Sequence, residues 1–421
     1  MNMEAIFKTQ DKTVAERGSL ETNMVPYYLL FLVFVLLVVS CSSEVNESPA
    51  AEGARTIEAT TDLIIGLEDQ PLEHQLGDPF FVRTDPEGGI YIADRASMQI
   101  KVFGEDGRYL KYIGGRGRGP GELQSIGLME WTPEGHLVVM DKGNLRFIVI
   151  STEGEEITSY PYNMSDQFYP QAVTYVDGQI LALFFIASSR LEGSELDRRL
   201  LHFSTPDFQH RESSFLPVRR LGFDEVPMAM DFHAGSFTLS AGKNRLFFSP
   251  RIYTGTIYVY KRLENNEWVF EKEIQGAEPR VEPYQIYDSE QQYQRALDAG
   301  VARALLAWYG GKRSMGSQQS MDAGLFSLDD GRLVHFHAEW REGYERLPDS
   351  VQHPMDLYVQ IFDQDGELQQ HSYLFPYIER VHFTLFPVVN WMDEKGRFYL
   401  FDHTEEGIPI VRRFSLNLPG L

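Results

Sequence analysis

The sequence has little of several things that would point to a particular chemistry. A single cysteine among 421 residues excludes any disulfide bond within the chain. Only 38 Lys and Arg face 61 Asp and Glu, and the resulting formal charge of −23 repels nucleic-acid phosphate. No Lys-Ser/Thr pair follows a glycine-rich loop, and there is no Gly-x-Ser-x-Gly motif. Neither a Walker-type phosphate cradle nor a serine elbow is therefore indicated.

Long apolar runs are also scarce, and the exception lies directly before the lone cysteine. The run from Val25 to Val39 is about 15 residues long, which is short for a membrane span and typical of a signal-peptide core. It ends in VVSC, which resembles the lipobox of bacterial lipoproteins. That resemblance implies a signal peptide over residues 1–40 and lipid attachment at Cys41. The alternative is an uncut signal anchor with an incidental thiol.

The segment after the cysteine extends this hypothesis. Residues 41–56, beginning CSSEVNESPAAEG, are polar and predict a flexible tether. Ser42 stands where an aspartate is associated with inner-membrane retention, so the resemblance favours the outer membrane, on its periplasmic or surface side. We expect the protein to be exported and held in the bacterial cell envelope by lipid on Cys41.

From residue 57 onward, short apolar runs alternate with turns, and one phrase recurs six times. It has a turn with Gly or Asn followed by a run of β-branched, aromatic or leucine residues. The copies are PEGGIYIAD, PEGHLVVMD, VDGQILALF, GKNRLFFSP, DDGRLVHFH and EKGRFYLFD. A second strand follows each copy, and such units bury their faces only by stacking on one another. The pattern predicts an all-β fold, a six-bladed propeller of four-stranded antiparallel blades over residues 57–421.

The segment from Gly77 to Tyr160 resembles the NHL-repeat style of propeller. The whole mature chain resembles the six-bladed β-propeller lipoproteins of Bacteroidota-type bacteria, many of them functionally undescribed. We predict that the N-terminal strand within Ile57 to Leu67 completes the last blade, so that neither chain end leaves a free sheet edge.

An insertion over residues 276–319 interrupts the repeats between blades 4 and 5. Within it, Tyr293, Leu297, Val301 and Leu305 recur at four-residue spacing, which predicts a helix over about 289–308 with Ser289 as its cap. The helix would pack on one propeller face as a lid or shape a ligand entrance.

Two short motifs are candidate sites. GGRGRGPGE, Gly114 to Glu122, fits the glycine-rich crossing between NHL-like blades, with Glu122 bonding backbone amides or an arginine. Alternatively, Arg116 and Arg118 form a rim that binds an anion or ligand. In HFH, strand alternation places His335 and His337 on one face, a spacing that suits a metal; Asp94, Asp141, His382 or His403 would then have to converge. These histidines equally fit a satisfied core, so we expect no metal and no cofactor.

The recurrence of Asp94, Asp141 and Asp402 at one repeat position favours turn capping over catalysis. With no catalytic motif, the sequence favours a binding or scaffolding protein whose partner is an envelope protein or small ligand, and not nucleic acid. The alternative is a metal-dependent propeller hydrolase or lyase, resembling gluconolactonase-like or amidating-lyase folds, with its site in the central channel.

Overall fold

The computed structural model describes residues 56–67, 71–162, 168–186, 197–221, 235–280, 285–287, 289–298, 306–309, 312–315, 320–341, 352–380 and 387–418. The predicted signal peptide, Cys41 and most of the predicted tether lie outside these residues. Within them β-strands dominate, and no helix is long and apolar enough to cross a membrane.

The chain forms six four-stranded antiparallel sheets, as the repeats predict. The N-terminal strand is β1 (Ala59–Ile65). Blade 1 comprises β2 (Pro79–Thr84), β3 (Ile90–Asp94), β4 (Gln99–Phe103) and β5 (Tyr109–Gly114). Blade 2 comprises β6 (Ile126–Trp131), β7 (Leu137–Asp141), β8 (Arg146–Ile150) and β9 (Glu156–Pro161). Blade 3 comprises β10 (Phe168–Val176), β11 (Gln179–Ile186), β12 (Arg199–Ser204) and β13 (Arg211–Pro217).

The second half of the chain repeats this arrangement with one insertion. Blade 4 comprises β14 (Gly235–Leu239), β15 (Arg245–Pro250), β16 (Thr256–Arg262) and β17 (Trp268–Gln275). The insertion contains β18 (Gln285–Tyr287), α1 (Glu290–Asp298), β19 (Leu306–Tyr309) and β20 (Lys312–Met315). Blade 5 comprises β21 (Met321–Ser327), β22 (Leu333–Trp340), β23 (Gln352–Phe362) and β24 (Leu368–Arg380). Blade 6 comprises β25 (Val389–Met392), β26 (Phe398–His403), β27 (Pro409–Leu416) and β1.

The ring closes as predicted, because the N-terminal strand completes blade 6. Strand β1 pairs antiparallel with β27, from Ala59 opposite Leu416 to Ile65 opposite Val411. An ion pair of 2.8 Å between Arg413 Nη2 and Asp62 Oδ2 joins the same two strands. The last blade therefore needs both ends of the propeller sequence, and β27 has a partner on each side.

Strand position within a blade follows from the sequence pattern. All five residues of β7, LVVMD, are buried, as expected for a strand covered on both faces by stacked blades. The outer strand β9, EITSYP, alternates between half-buried and exposed residues. Between β6 and β7, Gly135 adopts φ of +80°, which glycine reaches without a steric penalty.

Apolar clusters pack each blade against the next all the way around the ring. One cluster extends over blades 1 to 3, and the others join blade 3 to 4, 4 to 5, 5 to 6 and 6 to 1. Burial of apolar surface is the main favourable contribution to folding. The core is thus a ring between blades, and the innermost strands are left to line a central channel.

The insertion lies between blades 4 and 5 as predicted, but the prediction of a helix over 289–308 is wrong in its extent. Among the described residues helix α1 covers Glu290–Asp298, residues 299–305 lie outside them, and Leu306–Tyr309 forms strand β19 instead of continuing the helix. Strand β19 pairs antiparallel with β20, so tertiary pairing overrides the local four-residue periodicity there. Ser289 does cap the helix, since its Oγ accepts the backbone N–H of Gln292 at 3.3 Å.

Candidate functional site

The first strands of all six blades enclose a central cavity of about 490 Å³. This volume is within the range of small-molecule sites. The cavity extends to the turns that follow β14 and β21, where Lys243 and Asp329 contribute to its wall. A closed ring of sheets thus presents one concave site to which every blade contributes.

One equivalent position in each first strand lines this cavity. This position lies two residues before the turn that joins the first strand of a blade to its second strand. Its residue pairs with the second buried residue of the second strand. In blade order the six residues, here called the channel ring, are Arg83, Glu130, Thr174, Thr238, Phe326 and Trp391. The channel ring is therefore divided by chemistry: an ion pair, two hydroxyls and two aromatic rings.

The two charged members of the channel ring neutralise each other. Arg83 donates from Nε to Glu130 Oε2 at 3.0 Å, and Nη2 lies 2.9 Å from the same oxygen. The side chains are only 7% and 13% exposed, so the pair is largely removed from water. Arg83 Nη1 also donates to the Val82 carbonyl at 2.7 Å and to Asn390 Oδ1 at 3.3 Å. The guanidinium is thus held by the Glu130 carboxylate, the Val82 carbonyl and the Asn390 amide oxygen, and its charge is already paired within the protein.

Trp391 supplies an aromatic surface fixed from two sides. The Arg83 guanidinium lies 4.6 Å from its ring centroid, a cation–π contact. Its Nε1 donates to Thr84 Oγ1 at 2.9 Å. Phe81, Phe237 and Phe326 add further aromatic surface to the same cavity. The channel wall therefore offers flat apolar faces beside polar groups, the usual make-up of a ligand site.

Gln171 is the most unusual polar group of the cavity wall. Its side chain is 3% exposed, and neither amide atom hydrogen-bonds to any residue that the structure describes. The residue is skipped in the pairing of β10 with β11, which marks a β-bulge. The equivalent bulge residues of blades 1, 2 and 5 are Phe80, Gly127 and Ala323. A buried unpaired amide costs about 1–3 kcal/mol, so its presence at an otherwise apolar position calls for a reason.

His335 and His337 share one face of β22, as predicted, and both are fully buried. His335 Nε2 lies 3.1 Å from Asp322 Oδ1 and 3.0 Å from Ser249 Oγ. Asp322 Oδ1 in turn accepts from Ser236 Oγ at 2.8 Å. This network ties blade 4 to blade 5, and through Ser236 it reaches the channel wall.

His337 occupies the position of the recurrent aspartates. Asp94, Asp141, Asp402 and His337 each stand nine residues after the residue that begins the preceding turn. His337 Nδ1 lies 3.3 Å from Oγ of Ser320, the residue before β21, and Nε2 lies 3.1 Å from His371 Nε2. Burial, together with His335 and His371, lowers the pKa of His337 well below its usual value.

The candidate metal ligands that the structure describes do not converge. Within the described part of the chain, no three His, Cys, Asp or Glu side chains form a group that could hold a metal ion. Asp94 and Asp141 belong to other blades, His403 Nδ1 contacts the Ile378 carbonyl at 3.1 Å, and His382 lies outside the described residues. The chemistry of this region is that of a hydrogen-bonded core.

The strand-end aspartates bind backbone amides, but these include amides 16 to 24 residues earlier in the chain and not only those of the adjacent turn that the capping interpretation expected. Asp94 Oδ1 accepts from the N–H of Asp78 at 2.8 Å, and Asp141 Oδ1 from the N–H of Ser125 at 3.1 Å. Asp402 Oδ1 accepts from the N–H of Ile378 at 2.9 Å. Asp94 and Asp141 thus fasten the segment that enters their blade to its second strand, and Asp402 fastens β24 of blade 5 to β26 of blade 6.

The glycine-rich segment crosses from β5 of blade 1 to β6 of blade 2. Glu122 Oε2 accepts the N–H of Gly119 at 2.7 Å, so the predicted backbone bond is present. Arg116 and Arg118 are both exposed on this crossing. Neither lines the central cavity, and their role as an anion or ligand rim stays a prediction.

Sequence reasoning missed the channel ring and Gln171. The ring residues differ in chemistry from blade to blade, so no motif repeats at that position. They could have been found from strand register, because each channel ring residue lies two residues before the turn that follows the first strand of its blade. Gln171 gave no such signal, because a bulge is a property of strand pairing and not of local composition.

Comparison with known proteins supports the fold alone. The family model DUF5128, described as 6-bladed beta-propeller, matches residues 84–159. A solved member of the DUF4221 family from Bacteroides vulgatus is 12% identical, with a TM-score of 0.56 over 86% of this chain and 99% of that chain. Virginiamycin B lyase from Staphylococcus aureus is 10% identical, with a TM-score of 0.39 over 85% and 99%. No curated protein has a significantly similar sequence. This chain is a six-bladed β-propeller similar to proteins of the first two families.

Proposed function

We propose that this protein is a lipid-anchored binding protein of the bacterial cell envelope, and that its central channel is the ligand site. One observation carries the proposal. All six first strands contribute to a cavity of about 490 Å³, whose wall includes a buried amide that has no hydrogen-bond partner among the described residues. A rigid ring of sheets can hold such polar groups in fixed positions, which lowers the cost of ordering them on binding.

The anchor rests on the sequence. Cys41 follows the apolar run at the position of a lipobox cysteine, and a polar tether separates it from β1. Two or more acyl chains at one cysteine give stable attachment, whereas a single chain gives only marginal binding. If the exported protein is attached through lipid on Cys41, the channel is accessible to small molecules and proteins of the cell envelope. The alternative function, a metal-dependent hydrolase or lyase, is supported by no observation among the described residues.

A blocked channel tests the binding function. Thr174 belongs to the channel ring, and Thr174→Trp places a large ring into the cavity. Wild-type and variant protein are tested by saturation-transfer NMR against a panel of saccharides, dipeptides, nucleosides and phosphorylated metabolites. We expect at least one class of compound to bind the wild type and to lose binding in the variant.

The matched control is Thr60→Trp, an exposed position on the outer strand β1. It adds the same side chain far from the channel, so binding persists if the channel is the site. Thermal unfolding of both variants shows whether the blocked protein is still folded. Binding that survives Thr174→Trp in a folded protein would contradict the proposal, as would the absence of binding by every class.

A further inference from the structure

We propose that the channel ligand is a neutral carbohydrate, held by Gln171 and by the channel ring. This inference rests on the proposed binding function and specifies its ligand class. It is carried by three properties of the wall: its charge, its hydrogen-bonding groups and its aromatic surface.

The charge of the wall balances to zero. Among the described residues that line the cavity, the charged side chains are Arg83, Lys243, Glu130 and Asp329, two of each sign. Arg83 and Glu130 are already paired in the interior of the channel. Lys243 and Asp329 lie exposed in the turns at one end. A ligand with a net charge would lose hydration without meeting an unpaired opposite charge inside, so the wall favours a neutral ligand.

The polar groups of the wall suit hydroxyls. Gln171 offers a donor and an acceptor on one amide, and neither is used by the described residues. Thr174 and Thr238 add side-chain hydroxyls, which donate and accept alike. A sugar hydroxyl is also both donor and acceptor, so neighbouring hydroxyls on one ring can satisfy both ends of an amide. Each bond formed would remove the cost of an unpaired buried group.

The aromatic surface lies partly across the channel ring from the hydroxyls. Trp391 of blade 6 faces Thr174 of blade 3 across the six-blade ring. Phe326 of blade 5 is the neighbour of Thr238 of blade 4, whose Oγ1 accepts the N–H of Ser327 at 3.3 Å. A pyranose has a comparable division, with an apolar C–H face and a hydroxyl-bearing edge. One ring placed in the channel can therefore contact aromatic carbon on one side and hydroxyls or the Gln171 amide on the other. The cavity of about 490 Å³ is of the size that holds small molecules.

The test uses isothermal titration of the full-length protein in a sugar-free detergent. The neutral probes are methyl α-D-glucopyranoside, methyl β-D-galactopyranoside, N-acetylglucosamine, maltose and cellobiose. The charged probes are glucuronate and glucose 6-phosphate, and the dipeptide Gly-Phe represents another class. We expect at least one neutral saccharide to bind, about tenfold or more tightly than its charged counterpart.

Gln171→Leu separates a ligand contact from a structural role. Removal of the amide should weaken saccharide binding about tenfold, because two hydrogen bonds to the ligand are lost. The same change replaces an unpaired buried polar group by an apolar one, so the thermal midpoint of the free protein should not fall. Gln369→Leu, at an exposed position of β24, is the matched control. It loses exposed hydrogen bonds to Asp363 and to the Glu367 carbonyl, so the saccharide affinity should be unchanged and the thermal midpoint should change little.

Two results would overturn the carbohydrate proposal, and they differ in what they leave standing. If charged or peptide probes bind in the channel and neutral saccharides do not, the ligand class is wrong while the binding function holds. If no probe of any class binds, the binding function fails and this inference with it. Unchanged saccharide affinity in Gln171→Leu would remove Gln171 from the site.

Discussion

At the scale of single residues, the position at or near the end of each blade's second strand is occupied in several blades by a side chain that hydrogen-bonds earlier parts of the chain. At this position Asp94, Asp141 and Asp402 bind backbone amides of residues earlier in the chain, and His337 stands in the same place in blade 5. The repetition of Asp was visible in the sequence and indicated capping. That His337 occupies the same repeat position was not visible in the sequence, because the HFH motif suggests two histidines on one strand face and not a residue equivalent to the aspartates.

Removal of one strand-end carboxylate should destabilise the propeller strongly. Asp141 is fully buried, binds the N–H groups of Gln124 and Ser125, and lies 3.6 Å from Arg146 Nε. Asp141→Ala removes the acceptor of both amides and one of the two carboxylates near Arg146, which keeps Glu156, so the free energy of unfolding should fall by about 3 kcal/mol. Urea denaturation of the variant and of the wild type measures this change in the free energy of unfolding. Asp329→Ala, at an exposed turn, is the control and should change it by less than about 0.5 kcal/mol.

The buried His337 should make stability depend on pH. Burial lowers its pKa, and its ring packs with His335, His371, Tyr253 and Tyr358, while Glu339 Oε1 lies 3.8 Å from it. Below about pH 6.5 the unfolded chain binds a proton that folded His337 does not, so stability falls as pH falls. The slope is about 1.4 kcal/mol per pH unit while His337 stays neutral.

Urea denaturation between pH 7 and 5.5 measures this slope. His337→Gln should reduce it, since glutamine takes up no proton in either state. His210→Gln, at an exposed position, serves as the comparison and should retain the wild-type slope. An equal slope in His337→Gln and wild type would show that His337 does not contribute to the pH dependence.

At the scale of elements, the sequence predicted the strands and turns whose positions depend on local residue type. Turn residues and β-branched runs locate the strands, and the surplus apolar strand at the N-terminus indicates ring closure. The insertion was predicted less well. Leu305 continues a helical spacing, but the following residues pair with β20, and periodicity alone does not distinguish these outcomes.

The closing strand offers a direct test of the ring. A chain that starts at residue 67 lacks β1, which leaves β27 as an exposed edge and removes the Asp62–Arg413 ion pair. We expect a lower thermal midpoint and self-association, measured by calorimetry and light scattering. A chain that starts at residue 56 keeps β1 and should remain monodisperse with the wild-type midpoint. Equal behaviour of the two truncations would contradict this account of closure.

At the scale of the whole molecule, the channel belongs to no single blade. Its ring residues are separated by tens of positions along the chain, from Arg83 to Trp391, and only closure brings them together. The sequence therefore predicted the fold well and the channel wall poorly. Composition did favour a binding function over nucleic-acid recognition, since charge is a property of the entire chain.

Attachment to the membrane is also a property of the entire protein. Cys41→Ala removes the thiol that would receive lipid, so the protein should move from the membrane fraction to the soluble fraction or retain its signal peptide. Fractionation with mass spectrometry of the N-terminal peptide measures both. Ser43→Ala is the matched control and should stay in the membrane fraction. A Cys41→Ala protein that is processed and membrane-bound like wild type would reject the lipid anchor.

A crystal structure with the tightest-binding saccharide of the panel tests most directly whether the propeller channel is a ligand site. We expect electron density for a sugar ring inside the channel, with a hydroxyl within hydrogen-bond distance of the Gln171 amide and a C–H face against Trp391 or Phe326. Density for the saccharide only on the outer surface, with the channel free of it, would show that the channel is not the site.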